Sequence, residues 1–203
     1  MARKLSDNPK GSKAPRIGEG GYAARVVQII RLGTQRDEYE GKVTHKLKVW
    51  CTFEIPDVTI EVDGEDRPRW MSAKETESSN EKARFQKLCM AVSQHQEVVY
   101  EADLLNGPVM IDIGSTNKNN DKITGYAAVP ASFVKGIPEL ANPAVFWDID
   151  EPDYEQFEKF PDFIKDMIRE APEWVEPEGG DSGAKTKTTK TTKSKSDDDN
   201  PFE

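Results

Sequence analysis

A mainly β domain is the fold class this chain predicts: five strands with one helix between the third and fourth, then a helical extension and a tail unable to fold. Three observations predict it. Alternating apolar residues mark the strands, one apolar stripe at helical spacing interrupts them, and after Glu178 apolar residues all but vanish.

Residues 1–17 carry Arg3, Lys4, Lys10, Lys13 and Arg16 against Asp7 without apolar periodicity, which predicts a mobile basic arm. Strands are then expected over Tyr22–Leu32, over Val43–Ile55 with Val58–Val62 continuing it, and over Arg69–Glu75. The turn-rich segments RDEYEG and VDGEDRP supply the hairpin connections. Ser78 and Glu81 have capping-box spacing. Phe85, Leu88, Cys89 and Val92 fall at i, i+3, i+4 and i+7, a stripe suited to plugging the end of a barrel. Pro108–Gly114 and Ile123–Val129 read as two further strands joined by STNKNND. Three strands, one helix and two strands is the order of the OB-fold, a five-stranded barrel.

The remainder divides in two. In 144–175, Phe157, Phe160, Ile164, Met167 and Ile168 line one face of a short helix interrupted by Pro161, which predicts a helical extension packed on the barrel with its carboxylates outward. From Glu178 the Gly/Ser/Thr/Lys bias leaves too little apolar surface to offset the entropy of ordering. The expected organisation is therefore an arm (1–17), a barrel (18–135), an acidic helical extension (136–176) and a disordered tail (177–203).

The 203 residues carry a net charge of −9, which argues against a polyanionic partner until the charge is placed. Residues 1–146 hold 20 Lys/Arg against 20 Asp/Glu, whereas residues 147–203 hold 8 against 17. A neutral body with basic strands can bind nucleic acid through one face. Cys51 and Cys89 lie in apolar stretches without CxxC or CxxH spacing, as expected of reduced, buried thiols with no metal or disulfide role. No apolar run is long enough to span a membrane, and the N-terminus lacks a signal-peptide core, so a cytoplasmic protein without membrane contact is expected.

The second strand is the most informative part of the body. With period two, His45, Leu47, Val49, Cys51, Phe53 and Ile55 face the interior and Lys46, Lys48, Trp50 and Thr52 face out. Cations flanking an exposed indole suit a single strand of nucleic acid, whose phosphates need charge and whose unpaired bases stack on aromatic faces. Trp70, Ser72 and Lys74 on the third strand extend this platform. Tyr126, expected to share a face with Lys122 and Thr124, adds another plate, and Arg25 and Lys118 complete the candidate set. The competing reading places an outward Trp under the C-terminal helix or in an oligomer interface. His45 and His95 have no acid partner at recognisable spacing. The glycines of IGEGGY precede no helix, and the carboxylates of the C-terminal third adjoin no apolar pocket. No catalytic constellation emerges, so neither an enzyme nor a cofactor is expected.

The C-terminal tip, Asp197-Asp198-Asp199-Asn200-Pro201-Phe202-Glu203, resembles that of bacterial single-stranded DNA-binding proteins, in which acidic residues and a Pro-Phe pair end a long linker. The segments GTQ…G…FE and FWDIDEPD…F…PDFI are similar to those of phage-encoded members. The resemblance implies a protein that coats single-stranded DNA during replication, recombination and repair in the host cytoplasm. It also implies that Asp197, Asp198, Asp199, Pro201 and Phe202 dock phage or host replication and recombination proteins. Members usually end on Phe, whereas Glu203 follows here. Self-association into a homo-oligomer stays open. Two rivals remain, a DNA mimic that inhibits a host DNA-binding enzyme and a nuclease cofactor or dUTP-handling barrel.

Overall fold

The computed structural model describes residues 15–62 and 64–176. Two long strands, β1 (Gly20–Tyr39) and β2 (Lys42–Val62), pair antiparallel through a two-residue turn at Glu40 and Gly41, both of positive φ, the geometry that matches strand twist in tight hairpins. β3 (Glu65–Thr76) pairs with β2, β4 (Pro108–Ser115) with the start of β1, and β5 (Asp121–Ala127) with β4, in the order β3-β2-β1-β4-β5. The five strands anticipated from sequence are present, in a mainly β, mainly antiparallel sheet. A sixth, β6 (Val145–Asp148), was not anticipated. It runs parallel to β1 at Gln28–Arg31, along the edge that β4 leaves.

Helix α1 (Arg84–Val92) buries Phe85, Leu88 and Val92 against the sheet with Cys89 half-buried, as the stripe predicts. Its start is later than the capping-box spacing suggests. Ala83 stands at the N-cap with no side-chain cap, while the Ser78 hydroxyl accepts from the Asn80 amide in the preceding turn. Beyond β5 come α2 (Ala131–Val134), α3 (Tyr154–Glu158) and α4 (Asp162–Arg169). Pro161 separates α3 from α4 and serves as the N-cap of α4, where its missing amide hydrogen costs nothing.

Two apolar clusters use the two faces of the sheet. On one, Val26, Ile29, Val49, Cys51, Phe53 and Ile55 meet α1 and the inward residues of β4 and β5. On the other, Ile30 and Leu32 of β1 meet Trp147, Phe157, Phe160, Ile164 and Ile168. Register shifts after Val26 and after Arg31 let β1 serve both clusters. At the second shift Gly33 has φ +72°, and a Cβ there would lie 2.8 Å from a Glu173 carboxylate oxygen and 3.0 Å from both Ala171 and Ile149. That carboxylate accepts from the Thr34 amide at 3.0 Å. Gly33→Ala is therefore expected to lower stability by about 1–3 kcal/mol, read as a lower urea midpoint with unchanged slope.

β3 and β5 approach each other across a side-chain bridge. The Tyr126 hydroxyl donates to Glu75 at 2.7 Å, and Arg84 pairs with the same carboxylate at 2.7 Å. Burial raises the Glu75 carboxyl above the usual range, against the opposing effects of Tyr126, Arg84 and Lys48, and burial likewise raises the Tyr126 hydroxyl. The far end of the expected mobile arm is pinned: Arg16 pairs with Asp121 at 2.9 Å and donates to Asn119 and Ser115. Residues 1–14 lie outside the described residues, as do the tail and its tip.

Candidate functional site

Cross-strand register builds the candidate site. Trp50 of β2 lies opposite Lys74 of β3, Thr52 opposite Ser72, and Glu54 opposite Trp70, while Gln28 of β1 lies opposite Thr52. On the outer face of the sheet Gln28, Trp50, Thr52, Trp70 and Ser72 form one side of a groove of about 520 Å³. Residues of α3, α4 and their connection, among them Lys159, Phe160 and Phe163, form the other.

Three aromatic rings differ in how they meet this groove. Trp50 is half-buried and meets Phe163 edge-on, with centroids 5.5 Å apart. Trp70 is 43% exposed and Phe163 53% exposed, so both keep open ring surface. Burial of Glu54 fixes Trp70: the carboxylate accepts from the indole nitrogen at 3.1 Å, from the Ala141 amide at 2.7 Å and from Asn142 Nδ2 at 2.6 Å. A buried carboxylate needs such donors, and here they lock the indole to the segment that leads into β6. Trp70 and Asn142 also border a second hollow of about 380 Å³ that contains Arg67 and Arg69.

The sequence-derived residues separate into those at the groove and those elsewhere. Trp50, Trp70 and Ser72 line it, and Lys74 is exposed beside Trp50. Lys46 is exposed on the long β1–β2 hairpin, and Lys118 and Lys122 are exposed on the β4–β5 loop and β5 without lining the groove.

Three members of the set are corrected. Lys48 is buried, paired with Asp37 and bonded to Thr76 at 2.8 Å; its hydrogen bond holds the Asp37 carboxyl below the usual range. Arg25 is buried and donates to the carbonyls of Pro138, Asn106 and Ile137, with Glu139 at 3.1 Å, so most of its donors are spent on fastening loops. Tyr126 is a core residue 5.4 Å from the Phe53 ring. The shift between Asp112 and Ile113 places an extra residue in β5, so that Ile123 and Tyr126 both turn inward and parity counted from Lys122 fails.

Two inward expectations also fail: His45 is exposed and Leu47 is 42% exposed, since that end of the hairpin lies outside both apolar clusters of the described residues. His95 is half-buried with Nε2 2.8 Å from the Val129 carbonyl. Gln28, Lys159 and Phe163 are among the groove residues that sequence reasoning passed over. Gln28 is polar within an apolar run, which is a visible signal. Phe163 sits outside the apolar stripe of its own helix, which leaves it unburied.

No helix among the described residues is long and apolar enough to cross a membrane. Compared with protein-family models, curated proteins and solved structures, the chain matches none.

Proposed function

We propose that this protein binds single-stranded DNA without strong sequence preference, through the aromatic groove on the outer face of β1–β2–β3. The observation that carries the proposal is the grouping of Trp70, Trp50 and Phe163 around one open groove, bordered by the exposed ammonium groups of Lys74 and Lys159. Both side chains are exposed, where an ammonium group can meet a phosphate. Open aromatic faces with nearby cations suit unpaired bases on a charged backbone, and a stacked duplex offers no such bases. The strand order β3-β2-β1-β4-β5, with Tyr126 and Arg84 tying β5 and α1 to Glu75 of β3, supports a barrel of the OB type. On the resemblance of the C-terminal tip, Phe202 and the carboxylates of Asp197, Asp198 and Asp199 dock replication or recombination proteins, one aromatic anchor ringed by charge. The setting proposed is phage DNA metabolism in the host cytoplasm, and the protein acts without catalysis.

The test is an anisotropy titration of fluorophore-labelled oligo-dT, against duplex of equal length, with full-length protein and with protein lacking residues 197–203. Both forms are expected to bind the single strand and to ignore the duplex, and log K should fall with log salt in proportion to the phosphates contacted. Truncation should remove capture of replication proteins alone. Absence of oligo-dT binding by the full-length protein would sink the proposal and favour the DNA-mimic reading.

A further inference from the structure

We infer that Gln28, Thr52 and Ser72 form a reversible hydrogen-bond relay on the groove floor, letting one amide meet either a carbonyl or an amine on a base; this rests on the single-strand reading above. The three residues stand side by side on β1, β2 and β3, since Gln28 pairs with Thr52 and Thr52 with Ser72 in the sheet register. All three line the groove. The Thr52 hydroxyl is 3.1 Å from Gln28 Oε1 and 3.0 Å from Ser72 Oγ.

Thr52 is 2% exposed, so its single proton must go to one of these two neighbours. In one arrangement Thr52 donates to Gln28 Oε1 and Ser72 donates to Thr52. The Gln28 amide hydrogens are then left for an occupant of the groove. Turning the amide over gives the other arrangement: Gln28 Nε2 donates to Thr52, Thr52 donates to Ser72, and Gln28 Oε1 is left as an acceptor. The two ends of a glutamine amide are close to isosteric, and every buried group keeps a partner in both states.

Base chemistry makes the reversal useful. On the major-groove edge thymine and guanine present a carbonyl, O4 or O6, which needs a donor, whereas cytosine and adenine present an amine, N4 or N6, which needs an acceptor. A fixed donor would favour the first pair. A relay whose hydroxyls follow the amide accepts both at no loss of internal hydrogen bonds. Base tolerance in this groove is thus built from polar contacts as well as from stacking.

Ser72 is the residue on which reversal depends. Without its hydroxyl, Thr52 can give its proton only to Gln28 Oε1, which locks the amide as a donor toward the groove. The experiment compares oligo-dT with an oligomer of 5-methyldeoxycytidine, which keeps the methyl group and ring shape of thymine but replaces its 4-carbonyl by an amine and its N3 proton by a lone pair. The ratio of the two dissociation constants is measured for wild type, Ser72→Ala, Ser72→Thr and the double variant Ser72→Ala/Thr52→Val. Ser72→Ala should shift the ratio toward oligo-dT by about fivefold, the net worth of one neutral hydrogen bond. Ser72→Thr should keep the wild-type ratio. The double variant should return to it, because with no buried hydroxyl to satisfy the amide turns freely. A purely structural role for Ser72 predicts no such return. An unchanged ratio in Ser72→Ala, or a shift that persists in the double variant, would overturn the relay while leaving single-strand binding intact. A wild type that binds neither oligomer would overturn both readings.

Discussion

Trp147→Ala is expected to destabilise the protein by about 3–5 kcal/mol, the usual cost of removing a large aromatic side chain from a packed interior. Trp147 is 2% exposed, and Phe157, Phe160 and Trp174 lie with ring centroids 6.2, 5.8 and 6.4 Å away. Its indole nitrogen donates to the Asp153 carbonyl at 2.9 Å, which ties β6 to the N-cap of α3. The loss falls on the second apolar cluster, so the extension should loosen before the sheet. Urea unfolding followed by circular dichroism and by protease sensitivity near residues 150–170 checks this. A midpoint shift worth less than about 1 kcal/mol would mean that the cluster repacks around the gap. Oligo-dT binding should weaken in the same variant, because Lys159, Phe160 and Phe163 belong to the displaced wall.

How much of this was legible in the sequence depends on what lies over each residue. From Val49 to Ile55 strict alternation holds because one face of β2 lies in the apolar cluster shared with β1, β4, β5 and α1, and Val49, Cys51, Phe53 and Ile55 are inward as expected. At His45 and Leu47 the same alternation continues in the chain, but among the described residues the hairpin there extends past both apolar clusters. The outward face of Trp50 was also read correctly. Its cover was not settled, because the sequence does not say whether a distant aromatic segment folds back on it. Phe163 does fold back, but edge-on and only in part, so Trp50 is partly covered by the C-terminal helix while still lining the groove.

Other features were hidden for identifiable reasons. The extra residue in β5 turned Tyr126 inward, and a single bulge leaves no mark in a pattern counted two by two. β6 is four residues long and is defined by its pairing with β1, a non-local contact that the segment VFWD alone does not announce. The burial of Arg25 is equally non-local, since its partners at 106 and 137–139 are contributed by two loops. By contrast, the stripe of Phe157, Phe160, Ile164 and Ile168 was recognised from spacing, because local periodicity decides which face of a helix is apolar.

The largest effect on DNA binding is expected from the paired plates. Trp70→Ala should weaken oligo-dT binding by about 1–3 kcal/mol, the usual worth of one base stacked on an aromatic ring. Its ring is the better exposed of the two indoles, so the fold should tolerate its loss, apart from the hydrogen bond to Glu54. Glu54 then keeps two donors, Ala141 and Asn142, and stays satisfied in its buried position. Trp50→Ala should weaken binding by a similar amount but also cost stability, because Trp50 packs against the second apolar cluster and Phe163. The two side chains sit on neighbouring strands beside one groove, so under the single-strand proposal they would stack bases of one strand, and the double variant should lose roughly the sum of the two effects. Anisotropy titrations at one salt concentration, with urea unfolding of each variant in parallel, separate the binding loss from the folding loss. Trp70→Ala binding oligo-dT as tightly as wild type, with its fold intact, would remove Trp70 from the path of the strand. If both single variants and the double bind like wild type, the single-strand site lies elsewhere on the molecule and the groove has another ligand.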